Sequence, residues 1–463
     1  MITFEIDNSG NLPIYMQIYS YIRKEIEYGN IKADEKLPSK RALASHLNVS
    51  VVTVENAYSQ LVSEGYIRSE RGRGFFAENY EIPCITKEKA AFTDRLSDIK
   101  YNFGTGTADT SLFPFSVWAK LSRSTLNEKT TDLLNSCDFR GLKQLREEIA
   151  HHLRRFRGMN VSPDRIVIGA GSEYLIGIII NLLGRDMAYG VENPGYRKIY
   201  DIFSINTSRV FPVPVDEQGA SVSAISGFGI NVLHVTPSHH FPLGVTMPVT
   251  RKQQLLNWSY EKAERYIIED DCDCEFHYNS RPSPTLQSYD RNGTVIYLNT
   301  FTRTIAPSVR IGYMVLPEKL MEKFNAKLNF YSCPVPVFEQ FTLAKFIGEG
   351  YFERHINRLK KTFRQRRDTL VSCIKNSSLA DISEISGDSS GIHLLLKVTN
   401  GMSQSELIQS ALQNGIKIHS VSEYYSFPVY SIPDDLLILG FSGIDSETIA
   451  KAVSLMAEIW KSG

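Results

Sequence analysis

Two segments far apart in the sequence carry groups suited to holding an anion. Gly171 and Ser172 lie between a predicted strand and a predicted helix, where unpaired backbone N–H groups and the helix dipole favour negative charge. Thr300 and Thr302 supply hydroxyls, and Arg310 supplies a guanidinium that forms charge-assisted bonds with phosphate oxygens. Taken alone, the Gly171-Ser172 pair is more typical of an ordinary helix cap, so phosphate binding depends on these segments meeting in the fold.

An acidic run from Glu269 to Glu275 follows the apolar residues 266 to 268. It places Asp270 at the C-terminal end of a predicted strand, where open α/β sheets hold their ligands. Two other interpretations stay open, a Mg²⁺ site and a solvated turn. Cys272 and Cys274 could also indicate a metal, but the six cysteines follow no zinc spacing and no disulfide framework, which favours a reducing compartment.

The elements that must position these groups alternate between helical and strand patterns from residue 101 onward, which predicts an α/β architecture with a largely parallel sheet. A long amphipathic helix is predicted around 346 to 367, leading into a smaller C-terminal subdomain from about 365 to 463. The strand candidates are 165–169, 232–235, 266–268, 294–298, 392–398 and 436–441.

Residues 1 to 78 form a separate pattern of three helices and a β-hairpin, which predicts a winged helix-turn-helix. Ser39 and Ser50 are predicted to cap the second and third helices. The chain carries 51 basic and 51 acidic residues, so any nucleic-acid surface must be a local patch. Alternatively, the basic residues near this unit's surface form a solvated face that does not bind nucleic acid. These are Lys40, Arg41, Arg68, Arg71 and Arg73.

The remaining features of the chain concern its length and its surroundings. Its 463 residues, 42% of them apolar, are typical of a globular protein of roughly three units of ~150 residues. Residues 79 to 99 lack periodicity and are predicted to be a linker. No basic and apolar leader opens the sequence, and no apolar run approaches the ~20 residues that span a bilayer, which predicts a cytoplasmic protein without membrane contact.

The amino-acid sequence of the first unit resembles that of the GntR-type DNA-binding domain. The resemblance lies in Pro13 to Ile18, Leu37 to Ala44, Glu64 to Ile67 and Arg71 to Gly74. The resemblance implies that double-stranded DNA is contacted by the turn and by the start of the third helix, with the wing in the adjacent groove. The family often has arginine after the helix-capping serine, where this chain has Val51. The implied DNA-contacting residues are Ser39, Lys40, Arg41, Ser50, Thr53, Arg71, Gly72 and Arg73.

Tyr297 to Pro317 resembles the cofactor-lysine motif of fold-type-I aminotransferases, in the variant carried by MocR-type regulators. Further motifs of that type extend the resemblance over nearly the whole chain, among them Glu192 to Tyr196 and Pro237 to His239. It implies a site for pyridoxal phosphate (PLP), in which Asp270 pairs with the pyridine nitrogen. With Arg310 at the family's spacing, the phosphate-binding interpretation is favoured over a helix cap. The implied site residues are Gly171, Ser172, Tyr196, His239, Asp270, Cys272, Thr300, Thr302, Arg303 and Arg310.

Arginine stands at 303, where the family has lysine. A guanidinium stays protonated in proteins, so no Schiff base should form through Arg303. Cys272 stands where the family usually has tyrosine, Ser136 and Phe139 replace a usual tyrosine and proline, and no arginine is evident near Ile438 to hold a substrate carboxylate. Covalent attachment and amino-acid chemistry are therefore predicted to be lost, with PLP bound non-covalently or not at all.

The chain is thus identified as a MocR-type transcriptional regulator, with an N-terminal winged helix-turn-helix and a fold-type-I aminotransferase-like domain that senses a PLP-related or amino-acid-like effector. The resemblance implies a homodimer. One alternative is a PLP-dependent aminotransferase with a DNA-binding appendage, which needs a lysine such as Lys198 near the site. The other is a PLP-responsive regulator whose lysine was mutated.

Overall fold

The computed structural model describes residues 13–27, 29–79, 99–106, 109–128, 131–278, 283–427 and 436–461. It divides into two compact units, Met1–Arg95 and Leu96–Gly463. The predicted linker lies almost wholly outside the described residues. The predicted domain boundaries stay predictions.

The first unit is a winged helix-turn-helix, which confirms the predicted fold. Its apolar core is formed by one face of each helix together with the hairpin. The two strands pair antiparallel. Its elements are α1 (Ile14–Glu27), α2 (Lys40–Leu47), α3 (Val51–Ser63), β1 (Ile67–Glu70) and β2 (Gly74–Ala77).

Two serines cap the N-termini of the second and third helices. The Ser39 hydroxyl accepts a hydrogen bond from the Ala42 N–H at 3.2 Å, and the Ser50 hydroxyl accepts one from the Thr53 N–H at 3.1 Å. Such caps satisfy donors that a helix leaves unpaired at its N-terminus. Asn48 adopts the left-handed conformation that ends α2, with φ of 53°. Both predicted caps are confirmed.

The second unit contains a large mixed sheet, a smaller antiparallel sheet and flanking helices, so the predicted α/β fold class is confirmed. Its strands, numbered in chain order, are β3 (Tyr101–Asn102), β4 (Ile166–Gly169), β5 (Tyr189–Asn193), β6 (Val210–Asp216), β7 (Gly219–Ala220), β8 (Val232–Val235), β9 (Tyr266–Asp270), β10 (Val295–Thr300), β11 (Gly312–Val315), β12 (Ser383–Ser386), β13 (His393–Val398), β14 (Ile416–Lys417), β15 (His419–Ser420) and β16 (Leu436–Gly440).

In the described residues the large sheet has the strand order β4-β11-β10-β9-β8-β5-β6-β7. Strands β10, β9, β8, β5 and β6 run parallel, while β11 lies antiparallel between β10 and β4. Parallel strands bring their carboxyl ends to one edge of a sheet. The smaller sheet has the order β12-β13-β16-β15 and is antiparallel.

The helices cover both sheets and leave the carboxyl edge of the large sheet open to a pocket. In the described residues no helix is long and apolar enough to cross a membrane. The helices are α4 (Phe115–Glu128), α5 (Lys143–Arg157), α6 (Ser172–Leu183), α7 (Arg197–Asn206), α8 (Val222–Gly227), α9 (Val249–Tyr260), α10 (Leu286–Tyr289), α11 (Glu318–Lys327), α12 (Val337–Gly348), α13 (Tyr351–Lys375), α14 (Gln404–Gln413) and α15 (Ser446–Lys461).

The long helix predicted around 346 to 367 is present as α13, but the predicted start is wrong. The chain forms two helices there, and α12 ends at Gly348 while α13 begins at Tyr351. Gly350 lies between them with φ of +73°, a left-handed conformation that glycine adopts without steric cost. After the break, α13 continues to Lys375 and precedes β12, the first strand of the smaller antiparallel sheet.

Candidate functional site

A pocket opens at the carboxyl edge of the large sheet, where β5, β8, β9 and β10 end and α6 begins. The structure brings nine of the ten predicted ligand residues to its wall, and Gly171 lies beside them. The nine are Ser172, Tyr196, His239, Asp270, Cys272, Thr300, Thr302, Arg303 and Arg310.

One end of this pocket has the character of an anion site. Gly171 has φ of +90°, and a Cβ there would lie 3.0 Å from a guanidinium nitrogen of Arg310. Ser172 begins α6, so its backbone N–H belongs to a helix N-terminus. The hydroxyl oxygens of Thr300 and Thr302 lie 2.8 Å apart, and both residues line the same pocket. We call this region the anion cup.

A carboxylate of the chain itself faces the cup. Arg310 donates from Nη2 to Glu173 Oε2 at 3.1 Å, and Lys198 forms an ion pair with the other oxygen of the same carboxylate. Glu173 is absent from the sequence-based site, although its place directly after Ser172 on the first turn of α6 was a usable signal. Lys198, which the sequence suggested only as a lysine near the site for an aminotransferase, lies at the anion cup.

Asp270 places a buried carboxylate on the pocket wall, in contrast to the anion cup. It ends β9 with 7% of its surface exposed, and His234 Nε2 on the neighbouring strand lies 3.5 Å from Asp270 Oδ2. A buried carboxylate at a strand end can accept a hydrogen bond from a protonated nitrogen of a ligand. The predicted location of Asp270 at the carboxyl edge of the sheet is thus what the structure shows.

Arg303 projects to the pocket wall and pairs with Asp273, with 2.7 Å between Nη1 and Oδ2. The guanidinium is 26% exposed and the carboxylate 8%. Burial alone would lower the pKa of Arg303, but the neighbouring acidic groups, with the carboxylate of Asp273 first among them, together outweigh burial and raise that pKa above the ordinary arginine value. The group at 303 is therefore a permanent cation, without a lone pair for nucleophilic attack.

Cys272 lies between these charged groups as a neutral thiol. Burial, reinforced by the carboxylates of Asp270 and Asp273, raises the pKa of the Cys272 thiol well above its usual value. A neutral thiol is a weak hydrogen-bond donor. The Cys272 side chain therefore contributes to the shape of the pocket and adds no charge to it.

His239 connects the pocket to the smaller sheet. Its Nδ1 lies 3.0 Å from the Ser390 hydroxyl, and its Nε2 lies 3.5 Å from His393 Nδ1 on β13. Burial lowers the pKa of both imidazoles, that of His393 to about 4. Gly391 permits this approach, because a Cβ there would lie 2.1 Å from His239 Nε2. The pocket wall and the small subdomain are therefore in direct contact.

The acidic run is not a solvated turn, so that interpretation is wrong. Glu269 is fully buried and accepts hydrogen bonds from the backbone N–H groups of Leu286 and Gln287, at 2.7 and 2.9 Å. Asp271, also fully buried, pairs with Arg157 at 2.8 Å. Glu269, Asp271 and Asp273 thus have different partners within the protein, while Asp270 lines the pocket.

In the first unit, the predicted DNA-contacting residues lie on the helix-turn-helix and the wing. Arg41 and Arg71 are exposed and form no ion pair within the described residues. Lys40 pairs with Glu55 at 2.5 Å, and Arg73, which is 74% exposed, pairs with Glu70 at 2.7 Å. These pairs are at the surface, where exchange for a phosphate costs little.

Arg68 differs from the other basic residues of this unit. Its guanidinium lies 2.6 Å from Asp34 and 3.3 Å from Glu70, which ties the wing to the segment after α1. Its place is thus within the unit's own ion pairs. At the start of α3, Val51 and Val52 are 42% and 63% exposed, beside the Ser50 cap.

Comparisons with known proteins match both units. The family profile described as "Bacterial regulatory proteins, gntR family" matches residues 14–77, and that described as "Aminotransferase class I and II" matches residues 98–454.

Two relatives extend along nearly the full chain. The HTH-type transcriptional regulator YdeL of Bacillus subtilis (strain 168) is 35% identical over 467 residues, which covers 99% of each protein. The probable rhizopine catabolism regulatory protein MocR of Rhizobium meliloti is 29% identical over 469 residues, covering 97% of this chain and 94% of that protein.

Two solved structures share the fold of the second unit. The multiple substrate aminotransferase of Thermococcus profundus has a TM-score of 0.70 at 23% identity, covering 81% of this chain and 95% of that one. The α-aminoadipate aminotransferase LysN of Thermus thermophilus, complexed with N-(5'-phosphopyridoxyl)-L-leucine, has a TM-score of 0.67 at 21% identity, covering 80% and 94%.

Proposed function

Since the chain belongs to the MocR-type HTH transcriptional regulators of the gntR family, we propose that its aminotransferase-like domain senses a phosphate-bearing small ligand and thereby controls DNA binding. The observation that carries this proposal is the pocket itself. It joins an anion cup and a buried strand-end carboxylate to a permanently charged Arg303. Such a site suits recognition of a ligand more than covalent chemistry on it.

The residues present fit the phosphate and the ring of PLP, but not its attachment to the chain. Ser172, Thr300 and Arg310 would hold the phosphate, and Asp270 would meet the pyridine nitrogen. When bound, the cofactor supplies an electron-poor ring and an aldehyde. An aldehyde needs a neutral amine to bond covalently, and Arg303 offers none. The ligand is therefore PLP or a related phosphate ester held by non-covalent contacts.

Aminotransferase activity is the second candidate, supported by the fold, and we propose that it is absent. Lys198 lines the pocket, but its ammonium is paired with Glu173 at the anion cup. Strand β16, where a substrate-binding arginine would be expected, reads Leu436–Gly440 and contains none. Among the residues that the structure describes, the pocket therefore has neither a free amine beside Arg303 nor an arginine on β16 to anchor a substrate carboxylate.

Coupling from pocket to DNA requires two states with different affinity for the ligand. The contacts of His239 with Ser390 and His393 cross from the large sheet to the small subdomain. A second crossing joins the Gly195 N–H to the Tyr424 carbonyl at 3.1 Å, directly beside Tyr196 of the pocket. We propose that ligand binding changes these crossings and so favours one arrangement of the subdomains.

We also propose that the second unit forms a homodimer. Phe115, Leu134 and Phe330 expose 72%, 88% and 74% of their surface. Phe115 lies on the wall of an apolar groove that Trp118 and Pro334 also line. Large exposed apolar side chains beside a groove are typical of association sites, and the fold-type-I resemblance implies a second copy as the occupant.

The first prediction concerns the wing. Replacing Arg71 and Arg73 together by alanine should weaken binding to every DNA sequence. It should also flatten the dependence of log K on log salt by about one unit for each phosphate that the wing no longer touches. Thr53→Ala, at the start of α3, should instead change sequence preference. Fluorescence anisotropy over a salt series measures both, on a two-half-site operator selected from random DNA with the wild-type protein.

Lys451→Ala, which removes an exposed cation of the second unit, serves as the control and should leave the slope unchanged. A double wing variant with the wild-type salt slope would remove the wing from the interface. Two chains per selected site, measured by native mass spectrometry, would support the dimer with its two reading heads.

The second prediction concerns the ligand. PLP added to the wild-type protein should dialyse away, and borohydride should leave no pyridoxyl group on any lysine of the pocket. Arg310→Ala should weaken PLP affinity by about tenfold or more, since a hydrogen bond to a charged group contributes about 1.5–3 kcal/mol. Arg291→Ala, on the surface of the same domain, is the matched control. A reduced pyridoxyl group on Lys198, found by peptide mass spectrometry, would contradict the non-covalent proposal.

A further inference from the structure

The anion cup is already filled by a group with the same sign of charge as a phosphate. Glu173 accepts from Arg310 at 3.1 Å and is ion-paired with Lys198, and it lies on the first turn of α6. Both cations that line this end of the pocket are therefore directed at one carboxylate. A helix N-terminus adds further attraction for negative charge.

Glu173 is a carboxylate, not a carboxylic acid, at neutral pH. The hydrogen bond from Lys198 lowers the pKa of Glu173, against the opposing effect of its partial burial, and Arg310 lowers it further. The cup without Glu173 would hold two uncompensated cations. With it, the sum is a single positive charge, and a phosphate must either displace the carboxylate or lie against it.

The three side chains are free enough for displacement. Glu173 is 36% exposed, Lys198 51% and Arg310 45%, so each can turn toward solvent without leaving a buried charge unpaired. Ion pairs with this exposure contribute little to stability. The cluster of Glu173, Lys198 and Arg310 thus contributes little to the stability of the fold, and it is well placed to influence which ligands enter the anion cup.

We propose that Glu173 is a specificity-determining residue, an internal competitor that occupies the anion cup until a phosphate ester displaces it and frees Lys198 and Arg310 to bind that ester. This inference rests on the proposed function, because it concerns the same cup. A phosphate dianion attracts two cations more strongly than a carboxylate monoanion does. The cup therefore selects phosphate esters over ligands whose only anion is a carboxylate.

The test uses the full-length protein and isothermal titration with pyridoxamine 5'-phosphate, a phosphate ester without an aldehyde. Glu173→Gln keeps the shape of the side chain and removes its charge, so it should bind this probe at least tenfold more tightly than wild type. Pyridoxamine, which lacks the phosphate, should bind both proteins equally. In the Glu173→Gln background, Lys198→Gln should remove most of the gain, because the freed ammonium is one of the two phosphate partners.

Asp201→Asn is the matched control, since it removes a carboxylate from an exposed pair with Arg197 on α7 and should leave affinity unchanged. Glu173→Asp, too short to hold both cations, should fall between wild type and Glu173→Gln. Equal or weaker binding by Glu173→Gln than by wild type would overturn the inference and leave the proposed function standing. If neither protein binds the probe, both fail, whereas binding by Glu173→Gln alone would support the competitor.

Discussion

The variant Arg303→Lys should acquire covalently bound PLP, whereas the wild-type protein should acquire none. The anion cup and Asp270 already surround the position, so an amine at 303 would lie beside the bound aldehyde. Lysine can lose its proton and attack a carbonyl, which arginine cannot. Incubation with PLP, borohydride reduction and peptide mass spectrometry should place one pyridoxyl group on residue 303.

Asp273 adds a second step to this experiment. Its carboxylate, 2.7 Å from Arg303, would favour the protonated form of an introduced ammonium and so slow the attack. Labelling of Arg303→Lys should accelerate with rising pH, and the added change Asp273→Asn should accelerate it at neutral pH. Arg303→Met, which removes the guanidinium without adding an amine, is the control and should stay unlabelled.

Turnover of amino acids by Arg303→Lys should stay poor even when the cofactor is attached. Cys272 is a weak donor at its position on the pocket wall, and β16 offers no arginine to orient a substrate carboxylate. Orientation contributes several kcal/mol to catalysis in enzymes, up to about 7–11. An unlabelled lysine variant would mean that the pocket does not hold PLP. Brisk transamination would mean that a single substitution separates this chain from an enzyme.

The second large effect is on stability. Arg157→Met should lower the free energy of unfolding of the second unit by about 3–5 kcal/mol, because it leaves the carboxylate of Asp271 buried without its partner. The two side chains are 5% and 0% exposed, and Asp271 also accepts from the Tyr297 hydroxyl at 2.7 Å. Replacing both members, as Arg157→Met with Asp271→Leu, should cost less than the sum of the single changes.

Urea unfolding followed by tryptophan fluorescence measures this loss, since all three tryptophans lie in the second unit. Lys451→Met removes a surface pair with Glu447, in which both side chains are more than 60% exposed, and should cost no more than about 1 kcal/mol. An Arg157→Met protein as stable as the Lys451→Met control would show that the buried pair contributes little.

The sequence predicted those parts of the protein that local signals determine. Ser39 and Ser50 precede helical patterns, and both cap helices. Asp270 follows an apolar run and ends a strand at the pocket. The grouping of ten residues into one ligand site came from the resemblance, because no local pattern brings Gly171 and Arg310 together.

What the sequence could not predict depends on contacts between distant segments. The pairs of Glu173 with Lys198 and of Arg157 with Asp271 join residues 25 and 114 positions apart. Nothing in the sequence next to these residues indicates the partner. The break at Gly350 was missed for another reason. Apolar residues continue on both sides of it, and a left-handed glycine leaves the periodicity on either side unchanged.

Asp270 and Asp271 are adjacent in the chain and serve different partners, one lining the pocket at the end of β9 and the other pairing with Arg157. Strand β9 is paired on both edges, with Ile268 opposite His234 and Ile296. Losing a single codon within β9 would turn each later side chain to the other face. Ligand recognition and the buried ion pair should then fail together, so β9 should tolerate substitution more readily than a change of length.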